Sequence, residues 1–383
     1  MARQTITILY NTSIYVVKFR LPLIAALQEA GYRVIVLSPE DEATPVLRAH
    51  GIEHRPITMS QYGMNPLQEM RSMRELRALF EDIRPMASLH YTIKPNTFGT
   101  MAAHQAGVPV LNNIAGAGRA FSGGNPVMRR LVIGLYRRAL RHSHTVFFQN
   151  GDDMDVFSKA GLVRAAQCVR IPGSGVDLTR FHPSPMPDGP ARFLFVGRLL
   201  REKGIAEFLE AVARLMAEGD PDALRVDVVG EHEGDRSFIP TEDLQRLTAA
   251  PQISYLGTVP TERVDALMRA ASCVVLPSYY GEGVPRVLLE ACASARPIIT
   301  TDNVGCRDVV EPGVNGWKVP PRDVDALTEA LRAFLAMAPE ARAEMGRAAR
   351  RTAETRFDEK IVLDAYLKQL EIIAGTNAGQ VPT

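Results

Sequence analysis

Short runs of consecutive apolar residues alternate with longer amphipathic segments along the first half of the chain. Over residues 65–85, Met70, Met73, Leu76 and Phe80 recur at helical spacing, which predicts a helix with one apolar face. Runs rich in β-branched residues predict strands at 5–11, 32–39, 87–92, 108–114 and 145–150, with a further extended run from Ile52. Because these strands are almost continuously apolar, we predict a parallel sheet covered by helices on both faces.

The segment 181–193 interrupts this alternation with four prolines and a glycine, a composition typical of a linker. The pattern then resumes, with predicted strands at 191–199, 224–230, 251–259, 271–278, 296–302 and 316–321. We therefore predict an α/β fold of two Rossmann-like domains, over 1–183 and 190–355, whose parallel sheets face a central cleft. Ligands of such folds bind beyond the carboxyl ends of the strands, so residues that directly follow strands are the functional candidates.

The composition is that of a globular protein, with 46% hydrophobic and 23% charged residues. No run reaches the roughly 18 uncharged apolar residues of a membrane-spanning helix, and the first residues lack the apolar run of a signal peptide. We therefore expect a cytoplasmic protein. The four cysteines, at 168, 273, 292 and 306, have no C-x-x-C spacing, which argues against a disulfide framework and a structural zinc site.

The net charge of +1 is unevenly distributed. Residues 1–189 carry 21 Lys and Arg against 14 Asp and Glu, a net charge of +7, and the remainder of the chain carries −6. A basic half favours an anionic partner, although chance unevenness on a large surface is an alternative explanation.

Two cations follow the first strand of the second half, in the sequence FVGRLLREKG. The strand ends at Gly197, and Arg198 and Lys203 come next, so both side chains can converge on one anion at a strand-to-helix turn. The alternative is that both are solvated surface cations.

A second motif, SYYGEGVPRVLLEACASARPIITT, begins at Ser278. A glycine- and proline-containing turn leads into a predicted helix, and the free N–H groups of a helix N-terminus attract anions. Glu290 lies inside this helix, where its carboxylate can accept hydrogen bonds from two vicinal hydroxyls. Glu282 precedes the helix and is placed near the group attached to the phosphate.

Together these motifs resemble a retaining glycosyltransferase of GT-B family 4, which is typified by sucrose synthase and bacterial polysaccharide transferases. The resemblance implies that Arg198 and Lys203 hold a sugar-nucleotide diphosphate, that Glu290 binds the ribose and that Glu282 contacts the donor sugar. The implied donor-binding set is Gly197, Arg198, Lys203, Glu282, Gly283, Val284, Pro285, Arg286 and Glu290. The residues assigned to catalysis are Glu282, Arg198, Lys203 and His90.

The resemblance extends over nearly the whole chain. The run 171–181, which ends at Phe181, matches the element that joins the two domains, and 356–375 matches a C-terminal helix that crosses back onto the first domain. The chain departs from the family after the first strand, because residues 10–20 lack the Gly-Gly that many members carry there. Asn11, Lys18 and Arg20 are only candidates in this segment.

The sequence LHYTIKPN, at 89–96, resembles a subset of these enzymes that build capsule, O-antigen or N-glycan precursors on polyprenyl diphosphate. His90 and Lys94 follow a predicted strand and are expected to enter the cleft, His90 toward the donor sugar or the acceptor and Lys94 toward an acceptor phosphate. Asn113 ends the next strand and completes the predicted acceptor-binding set. A structural histidine with satisfied hydrogen bonds is the alternative for His90.

A basic amphipathic helix is predicted between residues 126 and 142, where arginines are interleaved with apolar residues. We expect it to lie against the anionic surface of the cytoplasmic leaflet, and the alternative is a packing helix with one solvated face. The arginines predicted to contact the membrane are Arg129, Arg130, Arg137, Arg138 and Arg141.

These observations predict an enzyme that moves a hexose or N-acetylhexosamine, with retention, from a UDP-sugar to a lipid-linked saccharide whose carrier is undecaprenyl diphosphate. It is expected on the cytoplasmic face of the inner membrane as a peripheral protein, without a nucleic-acid partner. No metal or other cofactor is expected, because two cations and a helix N-terminus face the diphosphate. The D-x-D triplets at 153–155 and 323–325 do not follow donor-site strands. An epimerase of the same fold and an inactive scaffold are the alternative functions.

Overall fold

The structure of the protein, a computed structural model, describes residues 3–61, 63, 65–116, 126–232 and 237–378. The chain divides into two compact units. Unit 1 comprises Met1–Ile171 and Val362–Thr383, and unit 2 comprises Pro172–Ile361.

Unit 1 is built on a parallel sheet in the order β3-β2-β1-β4-β5-β6-β7. Its strands are β1 (Thr5–Leu9), β2 (Arg33–Ser38), β3 (Glu53–Pro56), β4 (Ala87–Tyr91), β5 (Val110–Ile114), β6 (Thr145–Phe148) and β7 (Cys168–Arg170). The order places β4 beside both β1 and β5, with His90 opposite Asn112 and Tyr91 opposite Asn113 in the register. Residues that follow these neighbouring strands are thereby brought to one edge of the sheet.

The helices of unit 1 follow from local capping signals as well as from apolar spacing. Asn65 caps the long helix α4 by accepting from the Leu67 N–H at 3.1 Å, and α4 ends at Arg84, whose φ is 48°. The helices are α1 (Ser13–Phe19), α2 (Leu21–Glu29), α3 (Thr44–Ala49), α4 (Pro66–Ile83), α5 (Thr100–Gln105), α6 (Pro126–Leu140) and α7 (Gly151–Lys159). A π-helical turn, Pro95–Gly99, leads into α5.

Unit 2 repeats the architecture with a parallel sheet in the order β10-β9-β8-β11-β12-β13. Its strands are β8 (Ala191–Val196), β9 (Leu224–Val229), β10 (Ile253–Tyr255), β11 (Cys273–Leu276), β12 (Ile298–Thr301) and β13 (Gly316–Val319). Its helices are α8 (Ile205–Glu218), α9 (Thr241–Leu247), α10 (Thr261–Ala270), α11 (Arg286–Ala293), α12 (Val324–Ala336) and α13 (Pro339–Thr352). The predicted α/β fold with two parallel sheets is confirmed.

The last helix, α14 (Glu359–Ala378), begins in unit 2 and belongs to unit 1 from Val362 onward. Its buried side chains, Val362, Tyr366, Leu370 and Ile373, recur at helical spacing and lie in the core of unit 1. This helix overlaps most of the C-terminal segment 356–375 that the sequence assigned as crossing back.

The proline-rich segment is not a free linker. Phe181 is fully buried in the core of unit 2, and the buried Arg296 binds the backbone beyond it, with Nη1 3.1 Å from the Ser184 oxygen and Nη2 3.0 Å from the Pro185 oxygen. Arg296 also donates to the Met268 oxygen at 3.0 Å. These contacts attach the segment to unit 2. The first part of unit 1 ends at Ile171, before the predicted residue 183.

Strand β7 and helix α1 are among the elements of unit 1 that the sequence analysis did not predict. Strand β7 has only three residues, too few to show a period. Helix α1 occupies much of the segment 10–20, to which the sequence analysis assigned no element. It begins after Thr12, which accepts from the Ile14 N–H, while the Asp41 carboxylate holds the Thr12 hydroxyl and the Ser13 N–H at 2.7 Å each. Within the described ranges, no helix combines the length and the apolar character needed to cross a bilayer.

Replacing Arg296 by Lys is expected to destabilise unit 2 by about 2–4 kcal/mol, because a buried ammonium group cannot reach the set of carbonyls that the guanidinium satisfies. The measurement is urea unfolding followed by the fluorescence of Trp317, the only tryptophan of the chain, which lies in β13 of unit 2. Arg246→Lys, at an exposed position of α9, is the control and should change stability by less than about 0.5 kcal/mol. An unchanged urea midpoint in Arg296→Lys would show that the carbonyl contacts contribute little.

Candidate functional site

In unit 2, the loops that follow β8 and β11 pack against each other at the carboxyl edge of the sheet. Gly204 ends the first loop with a φ of 75°, and a Cβ atom there would lie 2.2 Å from the Pro277 carbonyl oxygen. The Tyr279 N–H donates to the Glu202 carbonyl at 2.8 Å. Glycine is therefore required at 204 both for the backbone conformation and for the close approach of the second loop.

Lys203 and Glu282 form an ion pair across these two loops. The Lys203 Nζ lies 2.5 Å from Oε1 and 2.7 Å from Oε2 of Glu282, and the Ser278 hydroxyl donates to Oε1 at 3.0 Å. Both side chains are largely buried, with 12% and 18% exposure. The sequence assigned the two residues to different parts of a ligand, and the structure shows that each also holds the other in place.

Arg198 differs from Lys203 because its side chain is exposed. Its backbone is fixed, since the Leu200 N–H donates to the Arg198 oxygen at 2.7 Å and the neighbouring Leu199 N–H to Glu231 at 2.9 Å. Its guanidinium forms no ion pair or hydrogen bond with another residue in the described part of the chain. Arg198 therefore presents a full set of donors at the end of β8.

Contacts with the segment after β12 hold the turn from 280 to 285 in place. The Asn303 side chain donates to the Tyr280 oxygen at 2.9 Å, and Gly305 approaches so closely that a Cβ atom there would lie 1.5 Å from the Gly283 oxygen. Sequence analysis did not identify Asn303 or Gly305, although their place directly after a predicted strand was an available signal. The contacts hold the backbone of Tyr280 and Gly283, and Gly283 belongs to the predicted donor-binding set.

Helix α11 begins at Arg286, directly after this turn, and the Leu288 N–H donates to the Pro285 oxygen at 3.1 Å. The N-terminal end of a helix carries a partial positive charge. Glu290 lies one turn later and is buried, with Oε1 3.1 Å from the Arg286 Nε. Burial raises the pKa of Glu290 to about 7, while Arg286 and Arg180 oppose the shift. Once it is ionised, a carboxylate in this position can accept hydrogen bonds from hydroxyl groups.

His90 does not occupy a ligand site. Its side chain is fully buried beside Phe80, its Nε2 lies 2.8 Å from the Ser88 hydroxyl and its Nδ1 3.2 Å from the Thr100 hydroxyl. Burial lowers the pKa of His90 to about 3, so the ring is neutral at physiological pH. Both ring nitrogens are used inside unit 1, and the assignment of His90 to catalysis and acceptor binding is therefore corrected to a structural role.

Lys94 is likewise committed to the interior of unit 1. Its Nζ lies 2.6 Å from the Glu69 Oε1 and also contacts the Ser60 hydroxyl, and both members of the ion pair are buried. Breaking a buried pair leaves one charge uncompensated. The prediction that Lys94 binds an acceptor phosphate is therefore contradicted by its position.

Asn113 joins a network of buried polar groups. Its Nδ2 donates to the Tyr366 hydroxyl at 2.8 Å, and its backbone oxygen accepts from Asn96 at 2.9 Å. Asn112, the preceding residue, donates to Asn96 and to Thr100 at 2.9 and 2.8 Å. Asn96 of the LHYTIKPN segment thus binds to β5, and Asn113 joins β5 to α14. Asn113 is not presented to a ligand.

Helix α6 has two distinct faces. Val132, Tyr136, Ala139 and Leu140 are buried against unit 1, whereas Val127, Met128 and Leu131 are 71%, 47% and 50% exposed. Arg129 and Arg130 are exposed beside these apolar side chains. The helix therefore packs on the sheet and also presents an apolar and basic surface at its N-terminal half.

Two family models match the chain, one in each half. The Glycosyl transferase 4-like family matches residues 6–150, and Glycosyl transferases group 1 matches residues 179–352. The chain is a glycosyltransferase. The second match contains Arg198, Lys203, Glu282 and Glu290, and the predicted enzyme class and family resemblance are confirmed.

Relatives with known names are bacterial glycosyltransferases. This enzyme is 27% identical to N,N'-diacetylbacillosaminyl-diphospho-undecaprenol alpha-1,3-N-acetylgalactosaminyltransferase of Campylobacter jejuni, over 94% of this chain and 95% of the relative. It is 30% identical to the putative colanic acid biosynthesis glycosyltransferase WcaL of Escherichia coli, over 59% of each chain.

Solved structures share the fold. A glycosyltransferase from Rickettsia africae superposes with a TM-score of 0.82 at 17% identity, over 98% of this chain and 99% of the other. Anabaena Alr3699/HepE in complex with UDP and glucose superposes with a TM-score of 0.78 at 19% identity, over 98% and 100%. The enzyme therefore has the GT-B fold.

The raised pKa of Glu290 predicts a pH-dependent stability of unit 2. Because the pKa rises from 4.5 to about 7 on folding, the fold favours the protonated carboxyl, and this contribution is complete below pH 4.5 and lost as the pH rises through 7. Between pH 5 and 8.5, the free energy of unfolding should fall in the wild type by up to about 3 kcal/mol more than in Glu290→Gln. Urea unfolding monitored at Trp317 measures this difference, and parallel pH profiles would contradict the shift.

Proposed function

We propose that this glycosyltransferase moves a hexose or N-acetylhexosamine, with retention of configuration, from a UDP-sugar to a saccharide carried on undecaprenyl diphosphate. The observation that carries the proposal is the grouping of Arg198, Lys203, Glu282, Glu290 and the N-terminus of α11 at one edge of unit 2. These groups supply cations for a diphosphate, a carboxylate for a ribose and a carboxylate for a sugar.

The proposed chemistry breaks the bond between C1 of the sugar and the diphosphate oxygen. Negative charge develops on the departing UDP, where Arg198, Lys203 and the N–H groups of α11 stabilise it. The acceptor hydroxyl forms the new bond to C1 on the same face, and its proton passes to the departing diphosphate. Fixed cations and helix N–H groups perform the stabilisation that a divalent ion supplies in other transferases, so we propose that no metal is needed.

Lys203 must change partners during this cycle. In the structure it pairs with Glu282, whereas the proposal gives Lys203 the diphosphate and Glu282 the sugar. A UDP-sugar offers both groups together: the diphosphate replaces the carboxylate as the partner of Lys203, and the sugar hydroxyls replace the ammonium as the partner of Glu282. UDP without a sugar replaces only the partner of Lys203 and leaves the Glu282 carboxylate without a cation.

The nature of the two substrates is supported by the comparisons. The Campylobacter relative is named for a diphospho-undecaprenol-linked sugar acceptor and matches over nearly its whole length. The Anabaena structures contain UDP, UDP with glucose or UDP-glucose. A lipid-linked acceptor requires the enzyme to reach a membrane surface, and we place it on the cytoplasmic face of the inner membrane.

Helix α6 is the surface that we propose for this contact. Its exposed apolar residues, Val127, Met128 and Leu131, lie beside Arg129 and Arg130. Residues 83–151 contain no Asp or Glu, so no acidic side chain of this long segment opposes an anionic headgroup. Apolar insertion and charge attraction together are the usual basis of reversible binding in the membrane interface.

Replacing Lys203 or Arg198 by Ala should lower kcat by about 10²-fold or more, because each substitution removes a positive charge that stabilises the departing diphosphate. The assay follows UDP release from a panel of UDP-sugars with a lipid-linked acceptor, in the presence of EDTA. Arg201→Ala, which removes an exposed cation from the same loop, is the matched control and should retain wild-type turnover. Near-wild-type turnover in both site variants would reject the diphosphate assignment, and dependence on an added metal would reject the metal-free mechanism.

The double variant Arg129→Glu, Arg130→Glu should weaken binding to anionic vesicles by roughly 30-fold or more at low salt, since each arginine contributes about 1 kcal/mol near such a surface. Cosedimentation with vesicles of anionic or zwitterionic lipid measures this binding. Arg71→Glu, Arg74→Glu on α4 applies the same charge change to exposed residues elsewhere in unit 1. Equal losses in the two double variants would show a general charge effect and would reject α6 as the contact surface.

A further inference from the structure

Arg20 is a buried cation without an anionic partner. Its side chain is only 6% exposed, at the junction between α1 and α2. Its Nε donates to the Tyr10 hydroxyl at 3.0 Å, and its Cζ lies 4.1 Å from the centroid of the Tyr91 ring. Nothing else in the described ranges forms a hydrogen bond or an ion pair with this guanidinium.

The other buried Lys and Arg side chains of the described residues have partners. Lys94 is paired with Glu69, and Arg296 donates to several carbonyl oxygens. Arg20 has five N–H groups and uses one of them. A buried charge is costly unless it is paired and hydrogen-bonded, and the contact with the Tyr91 ring offsets only part of that cost.

Tyrosine side chains surround Arg20. Tyr10 and Tyr91 stack with their ring centroids 4.7 Å apart and an angle of 8° between the planes. Tyr366 approaches Tyr91 from α14, and its hydroxyl is fixed by Asn113. The guanidinium is therefore held in one orientation by aromatic rings that carry no opposing charge.

The position of Arg20 is that of a ligand site. Tyr10 directly follows β1 and Tyr91 ends β4, and these strands are neighbours in the parallel sheet. Ligands of such sheets bind beyond the carboxyl ends of the strands. The four unused N–H groups belong to the two terminal nitrogens of a planar fork, whose geometry matches two oxygens of a phosphate or a carboxylate.

We propose that Arg20 is an anion-binding residue of unit 1, which takes a phosphate or carboxylate group of the acceptor. The proposal rests on the proposed function, since it gives unit 1 an acceptor to bind. It adds a charged contact that Lys94 does not supply, because Lys94 is paired with Glu69. An anion with two oxygens would accept hydrogen bonds from the unused N–H groups of Arg20. The affinity for the acceptor would then depend on a negative group at a fixed position in that acceptor.

The direct test observes the arginine Nε–H signals of the full chain by NMR during separate titrations with pyrophosphate and with glucuronate. The Arg20 signal, assigned by its loss in Arg20→Gln, should shift with at least one of these anions, and which one shifts it distinguishes a phosphate from a carboxylate partner. The same titration in Lys203→Ala excludes a response that originates from anion binding in unit 2. An Arg20 signal that neither anion moves would overturn the proposal, whether or not the variants fold.

Kinetics provide the second test. Arg20→Gln and Arg20→Lys should raise the KM for the lipid-linked acceptor by tenfold or more, while the affinity for UDP stays within twofold of the wild type. Arg33→Gln, which removes an exposed arginine of β2, is the control and should leave both values unchanged. An unchanged acceptor KM in a folded Arg20 variant would overturn the proposal, whereas failure of the wild type to bind UDP or release it from any UDP-sugar would overturn the proposed function alone.

Discussion

The proposed donor site depends on the close contact between the loops that follow β8 and β11. Their strands are neighbours, so the sheet order alone brings the loops to one edge, but the contact between Gly204 and Pro277 decides how near they come. With any side chain at 204, the loops would separate and Lys203 would move away from Glu282. A second glycine contact, between Gly305 and Gly283, fixes the opposite side of the same turn. The charged groups are thus positioned by backbone packing rather than by their own attraction.

The buried charged side chains of the two units are stabilised by different kinds of partner. Arg296 satisfies its donors on carbonyl oxygens and so attaches the proline-rich segment to unit 2. Lys94 and Glu69 neutralise each other inside unit 1. Glu290 has Arg286 beside it, yet burial still raises its pKa to about 7, so this carboxyl is held in an environment that does not favour its ionised form. A ligand that donates hydroxyl groups to the carboxylate would favour ionisation, which couples the protonation state of Glu290 to binding.

The fold, and the positions of the charged residues that group at one edge of unit 2, were predictable because each depends on a local signal. Continuous apolar runs mark the strands. Gly197, Arg198 and Lys203 lie in the loop after one of them, Glu282 lies in the loop after another, and Glu290 lies in the helix that follows that second loop. The boundary at Ile171 was not predictable, since prolines indicate an extended segment but do not show whether it is docked. The contact that docks it comes from Arg296, more than one hundred residues later. Gly305 follows a predicted strand directly, but its contact with the Gly283 oxygen shows only in the folded chain.

The errors in unit 1 arise from the alternation of side chains along a strand. His90 and Tyr91 end β4, and the sequence treats both as residues at the strand end, but consecutive side chains point to opposite faces of a sheet. His90 contacts Ser88, two residues earlier and on the same face, and it is enclosed by Thr100 and Phe80. Tyr91 lies on the other face, under Arg20 and beside Tyr366. A histidine at a strand end suggests a functional role because its chemistry is versatile, whereas the sequence analysis gave the tyrosine beside it no role. The two residues therefore differ because they lie on opposite faces of the sheet. His90 is buried in the core. The Tyr91 ring contacts Arg20, the one buried Lys or Arg side chain of the described residues that has neither an anion nor a set of carbonyl oxygens as its partners.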